Sequence, residues 1–182
     1  MHKDIEKILI PSQDVKKRVK ELAAQISADY SGKTPTLVGV LKGCAVFMSD
    51  LAQQLSIDVR MDFMMLSSYS GVKSTGVVRT ILDLKDSIQG RDVLIVEDII
   101  DSGLTMSYLL KNLKTRGPKS LTVCTFLDKY QARTAAVPIK YTGFRIQNEF
   151  VVGYGLDYNE LYRNLPYIGV LKTSAVKGNG EK

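Results

Sequence analysis

Apolar residues recur along this chain in two alternating rhythms. Val15, Val19, Leu22 and Ile26 fall on one face at helical spacing, which predicts a helix over residues 12–28 with Ser12 as its N-cap. Leu37-Val38-Gly39-Val40-Leu41 is apolar throughout, as a strand covered on both faces must be. Gly43 is expected to open a second helix, because Cys44, Phe47, Met48, Leu51, Ala52 and Leu55 follow the i, i+3, i+4, i+7 pattern. Residues 57–66 read as a strand, and strand, helix, strand makes a βαβ unit with a right-handed crossover.

A polar, glycine-containing loop occupies residues 67–76, and residues 77–82 look like a strand. Gln89-Gly90 marks a turn before a buried strand at 93–96. A helix over 104–115 carries Met106, Leu109, Leu110 and Leu113 on one face and stops at Gly117-Pro118. A strand at 121–127 follows, then weaker segments at 139–146 and 150–154, a mixed stretch, and what reads as a loose tail over 173–182. Alternating β and α segments predict an α/β domain: an open, mostly parallel twisted sheet with helices on both faces. Ligands of such sheets bind beyond the carboxyl ends of strands, here after Leu41, Val96, Leu127 and Val152.

Composition narrows the chemistry. The 182 residues include one His, two Cys and no Trp. His2 stands at the terminus, so Ser-His-Asp, Cys-His and His-zinc chemistry are not expected. Cys44 and Cys124 form no CxxC pair and read as buried thiols of a reducing cytoplasm. The net charge of +6 is spread evenly, with 13 basic and 10 acidic residues in 1–91 and 12 and 9 in 92–182. Such a balance fits an anionic small molecule as readily as a nucleic acid. Residues 1–6 lack the apolar core of a signal peptide, and no apolar run approaches a membrane span.

The most informative stretch is Val93-Leu94-Ile95-Val96-Glu97-Asp98-Ile99-Ile100-Asp101-Ser102-Gly103-Leu104-Thr105. An apolar strand runs into two adjacent acids, then a third, then Ser, Gly and Thr at the mouth of a helix. Asp101 can be a simple helix cap. The plain reading of these acids as helix-start residues and a cap accounts poorly for Glu97 and Asp98: adjacent carboxylates at a strand end repel and are costly to desolvate unless partnered. Sugar hydroxyls or a divalent cation are natural partners. Free N–H groups at the helix start, a permissive glycine and two hydroxyls make a phosphate cradle. Neither a Walker A loop nor a GxGxxG fingerprint is present. A sugar diol beside a phosphate is a ribose 5-phosphate.

This stretch resembles the phosphoribosyl-diphosphate signature of type I phosphoribosyltransferases. Leu41-Lys42-Gly43, Ser67-Ser68-Tyr69, Leu127-Asp128-Lys129 and Phe150-Val151-Val152-Gly153-Tyr154-Gly155-Leu156-Asp157-Tyr158-Asn159-Glu160 resemble, in the same order, the hypoxanthine (hypoxanthine-guanine) branch. The match runs from about residue 36 to 171. It implies one domain, with a core at about 36–135 and a small hood from N-terminal residues and about 136–172.

The resemblance also implies roles. Glu97 and Asp98 would hold the ribose hydroxyls, directly or through Mg²⁺. Asp101 would manage the proton of the purine imidazole nitrogen. Ser102, Gly103, Leu104 and Thr105 would cradle the 5-phosphate. Lys42, Gly43 and Arg163 would take pyrophosphate, with Arg133 as a further anion contact. Lys129 would donate to a 6-oxopurine oxygen, Phe150 would stack on the base, Val151 would read its edge, and Asp157 would ligate Mg²⁺ near the purine. Ser68 and Tyr69 would belong to a lid. Each has a plainer alternative: Lys129 as a solvated loop lysine, Phe150 as core, Gly43 as a helix opener, the lid as a hairpin connection.

The implied reaction joins phosphoribosyl diphosphate to hypoxanthine, and to guanine, giving IMP or GMP and pyrophosphate. A homo-dimer or homo-tetramer in the cytoplasm is implied, with no nucleic-acid and no membrane partner. Two alternatives stay open: a xanthine- or guanine-preferring enzyme, and a non-catalytic RNA-binding regulator prompted by the +6 charge.

Overall fold

The computed structural model describes residues 1–68 and 78–177. In chain order its elements are β1 (Ile5–Ile10), α1 (Ser12–Asp29), β2 (Thr36–Leu41), α2 (Ala45–Gln54), β3 (Arg60–Ser68), β4 (Val78–Leu82), β5 (Asp92–Ile100), α3 (Leu104–Lys114), β6 (Ser120–Asp128), β7 (Ile139–Arg145), β8 (Val151–Val152), β9 (Ile168–Leu171) and α4 (Thr173–Lys177), with a single 3₁₀ turn at Tyr130–Ala132. Among these, six strands form one sheet in the order β4-β3-β2-β5-β6-β7, and three form a second in the order β1-β9-β8. The large sheet is parallel except for its edge strand β4, which runs antiparallel to β3.

The apolar runs are continuous because helices cover both faces. Leu37, Leu94, Val96, Cys124 and Phe126 point to one side, into a core shared with Val15, Val19, Leu22 and Ile26 of α1 and Phe47, Met48 and Leu51 of α2. Their neighbours Val38, Val40, Val93, Ile95 and Val123 point the other way, against Met106, Leu109 and Leu113 of α3. The period-2 alternation of a strand thus sorts one apolar run into two cores. The strand order reverses at β2, with β3 on one side and β5 on the other. The crevice at that switch point, beyond the carboxyl ends of β2 and β5, is where such sheets bind ligands.

Several boundaries differ from the expected ones. Pro11, not Ser12, is the residue before α1, and no side chain caps that helix. Helix α2 opens at Ala45, because Lys42 to Cys44 are taken up by a turn against Asp98. Strand β3 begins at Arg60; Leu55 leaves α2 in an extended conformation, and Ile57 and Val59 pack beneath the α1–α2 core. The strands β1 and β9, which the sequence pattern missed, pair antiparallel from Ile5↔Leu171 to Ile10↔Ile168. The tail is in part docked: Ala175 and Val176 pack on the Ile5, Val152 and Leu171 cluster, and Tyr158 Oη donates to the Val176 carbonyl at 2.7 Å. Strand β7 extends the large sheet beside β6, and α1 packs on that sheet. Among the described residues no helix is long and apolar enough to cross a membrane.

Candidate active site

Strand β5 does not end at Val96. Pairing with β6 carries it through Glu97 and Asp98 as far as Ile100↔Asp128. The chain then turns through Asp101 and Ser102 and enters α3 from Gly103, whose φ is +82°. A Cβ there would lie 2.9 Å from the Ala135 carbonyl oxygen, so the position demands glycine on two counts. No side chain caps α3; the nearest hydroxyl, Ser102 Oγ, accepts from the Leu104 N–H at 3.4 Å. Asp101 is therefore not a helix cap. A cavity of about 150 Å³ is lined by Glu97, Asp101, Ser102, Gly103 and Thr105 among others. Uncapped N–H groups, hydroxyls and the positive end of a helix dipole converge on it, a setting made for an anion. The loop is braced from behind, where the Ser102 carbonyl accepts the N–H groups of Thr134 at 2.9 Å and Ala135 at 3.1 Å.

Glu97 and Asp98 face different sides of β5. Successive strand residues point to opposite faces. Glu97 lines the cavity at the start of α3, whereas the Asp98 carboxylate lies against Gly43 and in the fields of Arg163 and Asp157. Burial, reinforced by the Asp98 charge, pushes the Glu97 carboxyl well above its ordinary range. Its Oε2 is inaccessible and has no hydrogen-bond partner. Burial likewise pushes Asp98 up to about 6, against backbone donors that pull it down. An orphaned buried carboxylate oxygen such as Glu97 Oε2 fits a cation or a sugar hydroxyl as partner.

The other wall is built around two glycines. The turn at Lys42-Gly43 follows a cis Leu41–Lys42 peptide. A Cβ on Gly43 would stand 1.8 Å from Asp98 Oδ2, and one on Gly155 would stand 2.1 Å from the Gly43 carbonyl oxygen. Gly155 has φ +100°; its N–H donates to the Arg163 carbonyl at 3.0 Å, and its own carbonyl accepts from Arg163 Nη1 at 2.7 Å. Arg163 Nη2 reaches Asp157 Oδ1 at 2.7 Å. Lys42 Nζ donates to Glu160 Oε2 at 2.8 Å. Lys42, Gly43, Asp98, Asp157 and Arg163 are thereby brought together.

On the remaining side Lys129 is buried, at 7% exposure, not solvated. Its Nζ lies 3.2 Å from Asp101 Oδ2, and its N–H donates to the Ile100 carbonyl at 3.0 Å. Phe150 is half exposed and meets Tyr158 edge-on at 5.4 Å, so it is not core. Val151 is buried in β8 beside Val170. The Arg133 guanidinium is bound to the buried Asp128 and lies 3.5 Å from the Val137 carbonyl, while its buried Nε has no hydrogen-bond partner. It braces the segment behind the phosphate loop. Of the lid residues, Ser68 ends β3 opposite Val78, and Tyr69 lies outside the described residues. Burial pushes the thiols of Cys44 and Cys124 upward, which makes both poor nucleophiles.

Sequence reasoning assigned no task to Glu160, Asp128 or Gly155. The Gly-Tyr-Gly run at 153–155 was the available signal for a tight backbone approach.

The phosphoribosyl transferase domain family matches residues 7–159. The chain is 50% identical over 173 residues to the hypoxanthine-guanine phosphoribosyltransferase of Bacillus subtilis, covering 94% of this chain and 96% of the relative. It is 52% identical over 173 residues to the bifunctional protein TilS/HprT of Listeria innocua, of which it spans 27%. A crystal structure of a Staphylococcus aureus hypoxanthine phosphoribosyltransferase superposes with a TM-score of 0.92 at 49% identity, covering 96% of each chain. The Trypanosoma cruzi hypoxanthine phosphoribosyl transferase superposes with a TM-score of 0.93 at 40% identity, covering 98% of this chain and 97% of that one.

Proposed function

The chain belongs to the phosphoribosyl transferase domain family, and on that footing we propose that it moves the 5-phosphoribosyl group of phosphoribosyl diphosphate to N9 of hypoxanthine or guanine. The products are IMP or GMP and pyrophosphate, a purine-salvage reaction. The observation that carries this reading is the Asp101–Lys129 pair, 3.2 Å apart beside the phosphate loop. On a 6-oxopurine, N7 and O6 are neighbours on one edge. Asp101 serves as proton acceptor at N7, and Lys129 donates to O6. An ammonium donor there selects against the amino group of adenine, which would face it as a second donor.

The other residues take the phosphoribosyl group. The loop Asp101–Thr105 cradles the 5-phosphate through Ser102, Gly103, Leu104 and Thr105. Glu97 and Asp98 hold the ribose hydroxyls, directly or through Mg²⁺. Bond breaking leaves positive charge on the ribose ring, which these carboxylates tolerate, while Lys42, Gly43 and Arg163 stabilise the departing pyrophosphate. Phe150 covers the base and the Val151 backbone reads its edge.

Mg²⁺ fits this donor set. Among the described residues no three ligating side chains converge on one point. That matches the ion's habit of taking one or two carboxylates and filling its shell with water and substrate phosphate oxygens. Asp157, with Asp98 close enough to feel its charge, would hold it, and Glu97 offers the orphaned oxygen on the other face. When bound, the ion neutralises charge on the leaving pyrophosphate. We place the reaction in a reducing cytoplasm, in keeping with two free, buried cysteines, and expect a homo-dimer or homo-tetramer without nucleic-acid or membrane partners.

The test is pyrophosphate release from phosphoribosyl diphosphate, assayed with hypoxanthine, guanine, xanthine and adenine, with and without Mg²⁺. Mg²⁺-dependent release with hypoxanthine and guanine is expected. Dominant release with adenine or xanthine overturns the base assignment.

A further inference from the structure

Tyr158 and Leu161 exchange both backbone hydrogen bonds, at 3.2 and 3.1 Å, which makes Asn159 and Glu160 the central residues of a two-residue hairpin. Their φ values are +51° and +63°, the signature of a type I′ turn. Asn suits the first central position. The second is where glycine is strongly preferred, and a glutamate there is strained. Tyr162, just beyond, is also in the left-handed region at φ +75°. Strain kept at such a position points to a task for the side chain.

The task is visible in what the carboxylate touches. Glu160 Oε2 accepts from Lys42 Nζ at 2.8 Å, and Oε1 stands 3.6 Å from Arg163 Nη2. One side chain thus bridges the two cations assigned above to pyrophosphate. Both Lys42 and Glu160 are more than half exposed, so the bridge is weak and readily exchanged. We propose that Glu160 is an internal competitor for the pyrophosphate cations, setting how tightly the diphosphate group is held and easing its departure. The inference rests on the reading that Lys42 and Arg163 receive the diphosphate. A diphosphate that approaches them must displace the Glu160 carboxylate and then feels its repulsion. When pyrophosphate has been formed, the same carboxylate offers Lys42 an alternative partner.

The sign of the effect distinguishes this role from a structural one. Glu160→Gln keeps the size of the side chain and removes its charge; Glu160→Gly supplies the residue the turn prefers. Both are measured by titration calorimetry with inorganic pyrophosphate in Mg²⁺, and by steady-state kinetics with phosphoribosyl diphosphate. Pyrophosphate is expected to bind both variants about two- to fivefold more tightly at low salt, the range set by an exposed ion pair of up to about 1 kcal/mol. The gain shrinks as ionic strength rises. KM for phosphoribosyl diphosphate falls by a similar factor without a rise in kcat, and Glu160→Gly melts no lower than wild type. Equal or weaker pyrophosphate binding by both variants, with wild-type binding intact, overturns the role of Glu160 alone. A wild-type protein that binds no pyrophosphate and releases none overturns the functional reading and this inference with it.

Discussion

Gly43→Ala tests the join between the two walls of the site. A Cβ built on Gly43 falls 1.8 Å from Asp98 Oδ2 and 2.6 Å from its Cγ, where ordinary Cβ contacts do not come under 3.0 Å. The carboxylate and the turn must therefore separate by at least 1.2 Å, the difference between 3.0 and 1.8 Å. The Asp98 side chain can swing, so the stability cost is that of modest overpacking, about 1–2 kcal/mol. For a domain of this size that lowers Tm by roughly 2–8 °C. The catalytic cost is larger, because a misplacement of about 1 Å in a positioned group costs on the order of 10²-fold. That loss is about 2.7 kcal/mol of transition-state stabilisation. The assay is kcat/KM for phosphoribosyl diphosphate by pyrophosphate release, beside a thermal melt. Gly32→Ala is the matched control. Gly32 has φ +71° and open space around it, so alanine there costs about 1 kcal/mol of backbone strain and no activity. A Gly43→Ala enzyme within threefold of wild-type kcat/KM would refute the linkage of Gly43 to Asp98.

Three further outcomes follow from the site and its surroundings. Asp101→Asn should lower kcat by about 10²–10⁴-fold, the range of general acid–base catalysis, while phosphoribosyl diphosphate still binds in an equilibrium titration; wild-type turnover would remove the proton role. Lys129→Gln should cut kcat/KM for hypoxanthine and guanine and narrow the preference over adenine, measured by competition among the bases. Asp83 is held below its ordinary range first by the two-pronged contact with Arg116 at 2.7 and 3.1 Å, against an opposing burial effect. Because the folded-state value is depressed, its stabilisation is complete above the unfolded-state value near 3.9 and is lost as pH falls through the folded one. Wild type should exceed Asp83→Asn by about 0.5–1 kcal/mol in chemical denaturation at pH 6, a figure already reduced for exposure, and the gap should close as pH falls through the folded-state value.

Much of the large sheet was legible because strands buried on both faces must be apolar along their whole length, as β2 and the first half of β5 are. The ends of β5 and β6 were not. Glu97 and Asp98 look like the end of a strand, yet pairing with β6 continues past them, and only a partner strand reveals that. Strand β1 was missed because only Ile5 and Ile10 of its six residues are buried, and their partners lie more than 150 residues away in β9. The acids and the glycine of the phosphate loop stood out because their types and spacing are local. Lys129 did not, since its partner Asp101 lies 28 residues earlier in the chain. Nor did Glu160, because a positive φ on a glutamate leaves no mark in the order of residues.

The pairing of β1 with β9 also dictates a timetable. The turn at Lys42-Gly43 and the loop at Asp101–Thr105 follow strands of a sheet built within residues 36–145, so those strands can associate while synthesis proceeds. The smaller sheet cannot. Ile5 waits for Leu171, and Val151 waits for Val170, before either is covered. A ribosome adds about 5–20 residues per second, so the first strand stands unpartnered for on the order of ten seconds or more. Late in that interval the nascent chain holds the Asp101–Thr105 loop but not the β8–β9 pairing beside Phe150 and Val151. On the proposed function, competence for the purine therefore arrives last.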